Sequence, residues 1–152
     1  MSDPISFDSA SPRFGLPLLF AGQAQKEVFI NEAHALTDAL LHCAIEGVAG
    51  SPPGSPAEGT NWLVAPSATG DWLGKDGSVA CRQAGNWIYV TPRDGMRLMN
   101  RNTGQDLRFA GAWHFPATPA APTGGTVVDD LARGVIVSII NALRVAGIFA
   151  TG

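Results

Sequence analysis

The sequence is poor in charged residues, and this shortage narrows the possible classes of protein. Aspartate, glutamate, lysine and arginine make up only 15% of the 152 residues, whereas an average globular domain has about 25%. The formal net charge of −3 argues against general nucleic-acid binding. A weakly charged surface is typical of a subunit that buries much of itself against neighbours, although a compact monomer also tolerates it.

Cysteine and long apolar runs are scarce too. Cys43 and Cys81 are the two cysteines, and their apolar surroundings predict buried thiols in a reducing cytoplasm, not a disulfide framework. The longest charge-free apolar run near the end, residues 134–143, is far shorter than the roughly 20 residues that span a bilayer. The first residues lack a basic segment followed by an apolar run. We therefore expect no signal peptide and no membrane insertion.

The sequence contains no spacing typical of a catalytic or metal site. His34 and His42 lie in one predicted helix without a carboxylate in a zinc-ligand pattern, and His114 is distant in sequence. Residues 70–76 (GDWLGKD) miss a phosphate-binding loop, because three residues, not four, separate the glycines and Asp follows the lysine. We expect no enzyme, no cofactor and no metal.

The N-terminal residues 1–21 are predicted to form an extended arm. The arm is rich in Ser, Asp and Pro at first and then becomes apolar, and two prolines hold it extended. Such an arm cannot bury its own apolar side chains, so we expect it to lie along another surface. The predicted assembly residues in it are Phe14, Leu16, Leu18, Leu19 and Phe20.

Residues 22–50 are predicted to be a helix that ends near residue 48. Apolar residues recur at helical spacing, and Ile45 and Val48 widen the stripe. A Gly-Ser-Pro-Pro-Gly segment at 50–54 then ends the helix.

Residues 51–115 are predicted to form a β-meander, which makes the chain an α+β protein. Turn dipeptides are frequent, and Asp76-Gly77 is a strong signal for a two-residue hairpin. Such density predicts a small antiparallel barrel or sandwich. The predicted strands cover residues 62–65, 71–74, 78–83, 87–91, 96–101, 106–109 and 113–115.

In this region several tryptophans stand two residues after a glycine. The tryptophans are the only candidate ligand-binding set in the region. Aromatic rings stack on sugars and arginines bind anionic groups, so a glycan or protein interface is predicted at Trp72, Trp113, Arg97 and Arg101. The alternative is core packing, which we favour for Trp62 and Trp87 and leave open for the other two.

A Pro/Ala/Gly linker at 116–125 leads to a C-terminal oligomerisation segment at 126–152. Thr126 and Asp129 resemble a capping box, and Gly147 is placed to end the helix in a left-handed conformation. The helix is apolar on most sides, which predicts burial, in a bundle with its own copies or against its own domain. Its predicted assembly residues are Ile136, Ile139, Ile140 and Leu143.

More than half of the chain, beginning in the N-terminal arm, resembles a known family. The residues that match are Phe14-Gly15-Leu16-Pro17-Leu18-Leu19, Ala21 to Val28, Asn31-Glu32-Ala33 and, further on, Gly70-Asp71-Trp72-Leu73-Gly74. They are similar to the signature of an uncharacterised domain family found among structural genes of alphaproteobacterial phages and gene transfer agents. The resemblance covers roughly residues 12–95.

This resemblance implies a component of a phage-like particle: the base of a head spike at capsid vertices, linking the capsid to a fibre that attaches to host surface polysaccharide. The implied partners are the chain itself as a homo-oligomer (a pentamer at a five-fold vertex), a capsid protein, a spike fibre protein and the polysaccharide. The particle would be made in the bacterial cytoplasm and released by lysis. The alternative is a carbohydrate-binding module or a tail-fibre adaptor that binds the capsule directly.

Overall fold

A computed structural model describes residues 11–13, 16, 18–19, 26–125 and 129–151. They form an α+β fold, as predicted. In chain order the elements are α1 (Lys26–Leu40), β1 (Ala44–Ile45), β2 (Val48–Ala49), β3 (Asn61–Val64), a 3₁₀ helix (Gly70–Trp72), β4 (Val79–Gln83), β5 (Asn86–Val90), β6 (Arg97–Asn100), β7 (Gln105–Phe109), β8 (Trp113–His114) and α2 (Asp130–Val145).

The strands form two four-stranded sheets, in the orders β1-β6-β7-β8 and β2-β3-β4-β5. The sheets do not close into a barrel, so the sandwich alternative describes them better. Each sheet is mixed, because β1 pairs in parallel with β6 and β2 pairs in parallel with β3. All pairs between strands of residues 51–115 are antiparallel, as predicted, and both parallel pairs involve strands of the segment that was predicted to be helical. The parallel pairs arise because the segment between α1 and residue 50 contributes one short strand to each sheet.

The main core lies between the two sheets and α1. It combines aliphatic and thiol side chains from both sheets with Ala39 of α1. A second cluster, centred on Trp72, covers the face of the β2-β3-β4-β5 sheet that points away from the main core. The buried members of the main core are Ala39, Cys43, Ile45, Leu63, Val79, Cys81, Leu98 and Leu107.

The predicted first helix was too long. α1 ends at Leu40, and His42 has a φ of 48° that no continuing helix allows. The side chain of Arg13 donates hydrogen bonds to the carbonyl oxygens of Asp38, Ala39 and His42 at the end of α1. Ile45 and Val48, which match the helical period, lie in strands instead. The predicted start at residue 22 lies outside the described residues.

A predicted strand at 71–74 was also wrong, because residues Gly70–Trp72 form a 3₁₀ helix. Asp76 lies in a long connection between β3 and β4, not in a two-residue hairpin. Its carboxylate accepts hydrogen bonds from the backbone N–H groups of Ser67 and Ala68. The carboxylate thus organises a loop that folds Trp72 back over the sheet.

Candidate functional site

The C-terminal helix α2 presents a large exposed apolar surface. Leu131 is 86% exposed and Val145 is 91% exposed, and Val135, Ile136, Val137 and Ile139 are each more than 40% exposed. A helix of 16 residues is about 24 Å long at 1.5 Å per residue. Most of that length carries aliphatic side chains in contact with solvent. Such a surface is typical of an interaction site.

Only one stripe of α2 faces its own domain. Ile140 is 7% exposed and Leu143 is half-buried. Of the predicted assembly residues, Ile136 and Ile139 are therefore available to a neighbour, whereas Ile140 is not. The sequence allows two arrangements of this helix, a bundle with its own copies or packing against its own domain. In the structure α2 packs against its own domain along one side, and its other sides are exposed to solvent.

The C-terminal end of α2 follows the sequence prediction, whereas the helix begins at Asp130, later than the predicted start at residue 126. Asp129 is the N-cap, and its carboxylate accepts a hydrogen bond from the N–H of Ala132. At the other end Ile148 donates to the Leu143 carbonyl and Gly147, at a φ of 73°, donates to that of Arg144. These bonds form a Schellman motif. Thr126, the other predicted capping residue, lies outside the described residues.

The residues that follow α2 anchor it to the sheet. The N–H of Asp106 donates to the carbonyl of Gly147 at 2.7 Å, and that of Thr151 donates to the carbonyl of Thr103 at 2.8 Å. The side-chain amide of Gln105 donates to the carbonyl of Ile148 at 3.1 Å. The C-terminal end of α2 is thus fixed to the β6–β7 turn, which holds its apolar surface in a set position.

The described part of the N-terminal arm lies on its own domain. Leu18 is 7% exposed, and the backbone of Leu19 exchanges two hydrogen bonds with the side-chain amide of Asn31 in α1. Leu16 is half-buried. The expectation that Leu18 serves a neighbouring surface was wrong, because its side chain is already buried within its own chain. Phe14 and Phe20 lie outside the described residues.

Trp72 is a core residue, not a surface platform for sugars. Its side chain is fully buried, and its ring lies 6.5 Å from that of Trp62 and 5.1 Å from that of Trp87. The latter two are half-buried. The sequence pattern favours core packing for Trp62 and Trp87 and leaves Trp72 open, because it places Trp72 on a strand. Trp72 instead lies in the loop that covers the sheet and is the most deeply buried of the three rings.

Trp113 lies beside a groove of about 550 Å³. Its ring packs against Phe109 with centroids 5.2 Å apart, and its Nε1 donates to the carbonyl of Gly77 at 2.8 Å. Phe115 and Val48 line the same groove and are 50% and 42% exposed. Trp113 belongs with the main core and Trp72 with the second cluster, so the structure does not bring these two predicted residues together.

The two predicted arginines differ in their surroundings. Arg101 forms an ion pair with Glu46 at 2.8 Å. Arg97 is exposed and stands opposite Arg108 in the pairing of β6 with β7. Both Arg97 and Arg108 line a second depression of about 350 Å³. His114 also lines this depression. No role was predicted for it, because it is distant in sequence from His34 and His42.

The described residues show no constellation for metal binding. Among them, no group of three or more His, Cys, Asp and Glu is placed to hold a metal ion. No helix in the described ranges is long and apolar enough to cross a membrane. Cys43 and Cys81 are buried free thiols. Burial raises the pKa of Cys43, and burial together with the Cys43 charge raises the pKa of Cys81 to about 12. Thiols with raised pKa values are poor nucleophiles at neutral pH.

Comparison with known proteins gives a family without an assigned activity. A family model described as "Protein of unknown function (DUF2793)" matches residues 30–114, which is more than half of the chain. The match begins within α1, spans all eight strands and ends before the linker and α2. No curated protein matches this chain.

Proposed function

We propose that this chain, which belongs to the family described as protein of unknown function (DUF2793), is a homo-oligomeric structural subunit of a phage-like particle. In this role it forms the base of a head spike at the capsid vertices. It links a capsid protein to a fibre protein that attaches the particle to host surface polysaccharide. A vertex has five-fold symmetry, so a ring of five subunits is the stoichiometry that fits it.

The observation that carries the proposal is the apolar surface of α2. Burial of each large aliphatic side chain contributes about 1.5–3 kcal/mol, so an assembly that covers the helix gains several such contributions. The Schellman motif and the anchored C-terminal residues fix the helix before any partner binds. A preformed helix of this kind suits a bundle of identical copies, in which each helix covers the next.

The family match supports a division of labour between two parts of the chain. The matched residues 30–114 contain both sheets, whereas the assembly helix lies beyond them. In this proposal the two-sheet domain supplies the contacts with the capsid and the fibre, and α2 holds the subunits together.

Imaging of particles tests the location. Particles from a strain that lacks this protein are expected to lose the projections at their vertices and to keep their tails. Loss of tail fibres with intact vertex projections would favour the tail-fibre adaptor instead. Particles with unchanged vertices and tails would overturn a structural role.

A further inference from the structure

The outward face of the β1-β6-β7-β8 sheet carries a row of basic side chains. Arg97 of β6 is paired with Arg108 of β7, and Arg108 is paired in turn with His114 of β8. All three are exposed. Directly opposite residues on antiparallel strands have Cβ atoms about 4.5–5.5 Å apart, and like charges in such positions destabilise the pair. Repulsion within the row therefore lowers the stability of the folded state, and a bound ligand of opposite charge would offset this loss.

The guanidinium groups of this row have no partner among the described residues. Neither Arg97 nor Arg108 makes an ion pair or side-chain hydrogen bond there, whereas Arg82 and Arg101 pair with Glu58 and Glu46. The His114 Nε2 lies 3.2 Å from the carbonyl oxygen of Ala110, which orients the imidazole ring. The donors of both arginines remain available.

The row lines a depression of about 350 Å³, at the small end of the size range of ligand sites. Its walls combine three kinds of chemistry. The basic groups suit an anion, Pro116 and Ile148 provide apolar contact, and the Asp106 carboxylate accepts hydrogen bonds from hydroxyl groups. The segment after α2 holds Ile148 in place, since the amide of Gln105 donates to its carbonyl.

We infer that this depression binds a carboxylate-bearing sugar unit of an acidic polysaccharide. Arginine binds a carboxylate through paired N–H donors, which a planar guanidinium presents in the required geometry. The sugar hydroxyls donate to Asp106, and the C–H face of the ring contacts Ile148 and Pro116. An anion without hydroxyls, such as sulfate, would gain no hydrogen bond from Asp106 and would be repelled by its carboxylate.

A sugar fits this place better than an acidic peptide. Peptides commonly bind sheets by adding a strand at an exposed edge. Both arginines instead project from interior strands, since β6 lies between β1 and β7 and β7 lies between β6 and β8. The basic row also crosses the strands. The inference rests on the host-attachment part of the proposed function and adds a binding site on this chain itself.

Calorimetric titration of the full chain with a galacturonate trimer tests the site. We expect binding that weakens by about tenfold in Arg97→Gln and in Arg108→Gln, as loss of a charge-assisted hydrogen bond implies. Arg93→Gln is the matched control. It removes an exposed arginine between β5 and β6 that does not line the depression, so its affinity should equal that of the wild type. A neutral glucose trimer should not bind.

Asp106→Ala separates a sugar site from a simple anion site. With the galacturonate trimer this variant should bind more weakly, because hydroxyl acceptors are lost. With inorganic sulfate, which has no hydroxyl groups, it should bind more tightly, because a repelling charge is removed. Tighter binding of the trimer would overturn the assignment to a sugar.

The inference fails if Arg97→Gln and Arg108→Gln bind the trimer as the wild type does. It also fails if a glutamate-rich peptide binds more tightly than the trimer, which would point to a protein partner. Thermal melting of each variant controls for folding, and we expect equal or slightly higher midpoints because a like-charge pair is removed. Disruption of self-association through α2 should leave the titration unchanged, so failure of the assembly proposal is distinguishable from failure of this one.

Discussion

The two-sheet core and helix α2 are both built from aliphatic side chains, yet the chain buries one and exposes the other. Ile45, Leu98 and Leu107 of the core are at most 2% exposed, whereas Val135 and Ile139 of α2 are more than half exposed. The core finds its partners within residues 26–115. Among the described residues, the helix contacts its own domain along one side and at its C-terminal end. The contrast shows that apolar content predicts burial but does not reveal whether the covering surface belongs to the same chain.

The largest effect should come from truncation inside the core. Trp72→Ala removes a fully buried ring that contacts two other tryptophan rings, and we expect it to lower the free energy of unfolding by about 3–5 kcal/mol. Urea denaturation followed by tryptophan fluorescence measures this. Leu131→Ala, at a position 86% exposed, is the control and should shift the midpoint little. A small loss for Trp72→Ala would mean that the ring is not a core element.

The next effect concerns the arm. Arg13→Ala removes the guanidinium that donates to three carbonyl oxygens at the end of α1, and we expect a loss of about 1.5–3 kcal/mol. Arg93→Ala, an exposed arginine without side-chain bonds in the described residues, should change the free energy of unfolding very little. Equal losses in the free energy of unfolding for the two variants would show that the arm does not stabilise α1. The arm would then be expected to lie on a neighbouring surface instead.

The smallest effects come from a pair of glycines in and after α2. Gly147→Ala places a side chain at a φ of 73°, and we expect it to cost about 1–2 kcal/mol. Gly134→Ala fills a position inside α2 with nothing within 4 Å, and should raise helix stability by about 1 kcal/mol. Circular dichroism during thermal melting measures both. Changes of the same sign would argue against the Schellman motif that orients the helix.

Much of the fold could be predicted where local chemistry decides it. The end of α2 at Gly147 follows from a glycine placed before an apolar residue. The turn between β4 and β5 occurs at Ala84 and Gly85, both with positive φ values of 46° and 73°, where the sequence shows a turn dipeptide. Such features depend only on neighbouring residues.

The errors arise where distant residues decide the structure. Ile45 and Val48 match a helical period, but they pair with strands far along the chain at Asn100 and Leu63. Trp72 has the sequence context of a strand, yet a carboxylate at Asp76 shapes its loop. The basic row of Arg97, Arg108 and His114 depends on strand register, which single-sequence patterns do not define.

In the proposed assembly, α2 forms the contacts between copies of this chain. Sedimentation equilibrium of the wild type over a range of concentrations, beside the double variant Ile136→Ser with Ile139→Ser, tests it most directly. We expect a defined oligomer for the wild type and a folded monomer for the variant, with an unchanged urea midpoint for the two-sheet domain. A wild type that stays monomeric at the highest soluble concentration, or a variant that assembles equally well, would contradict it.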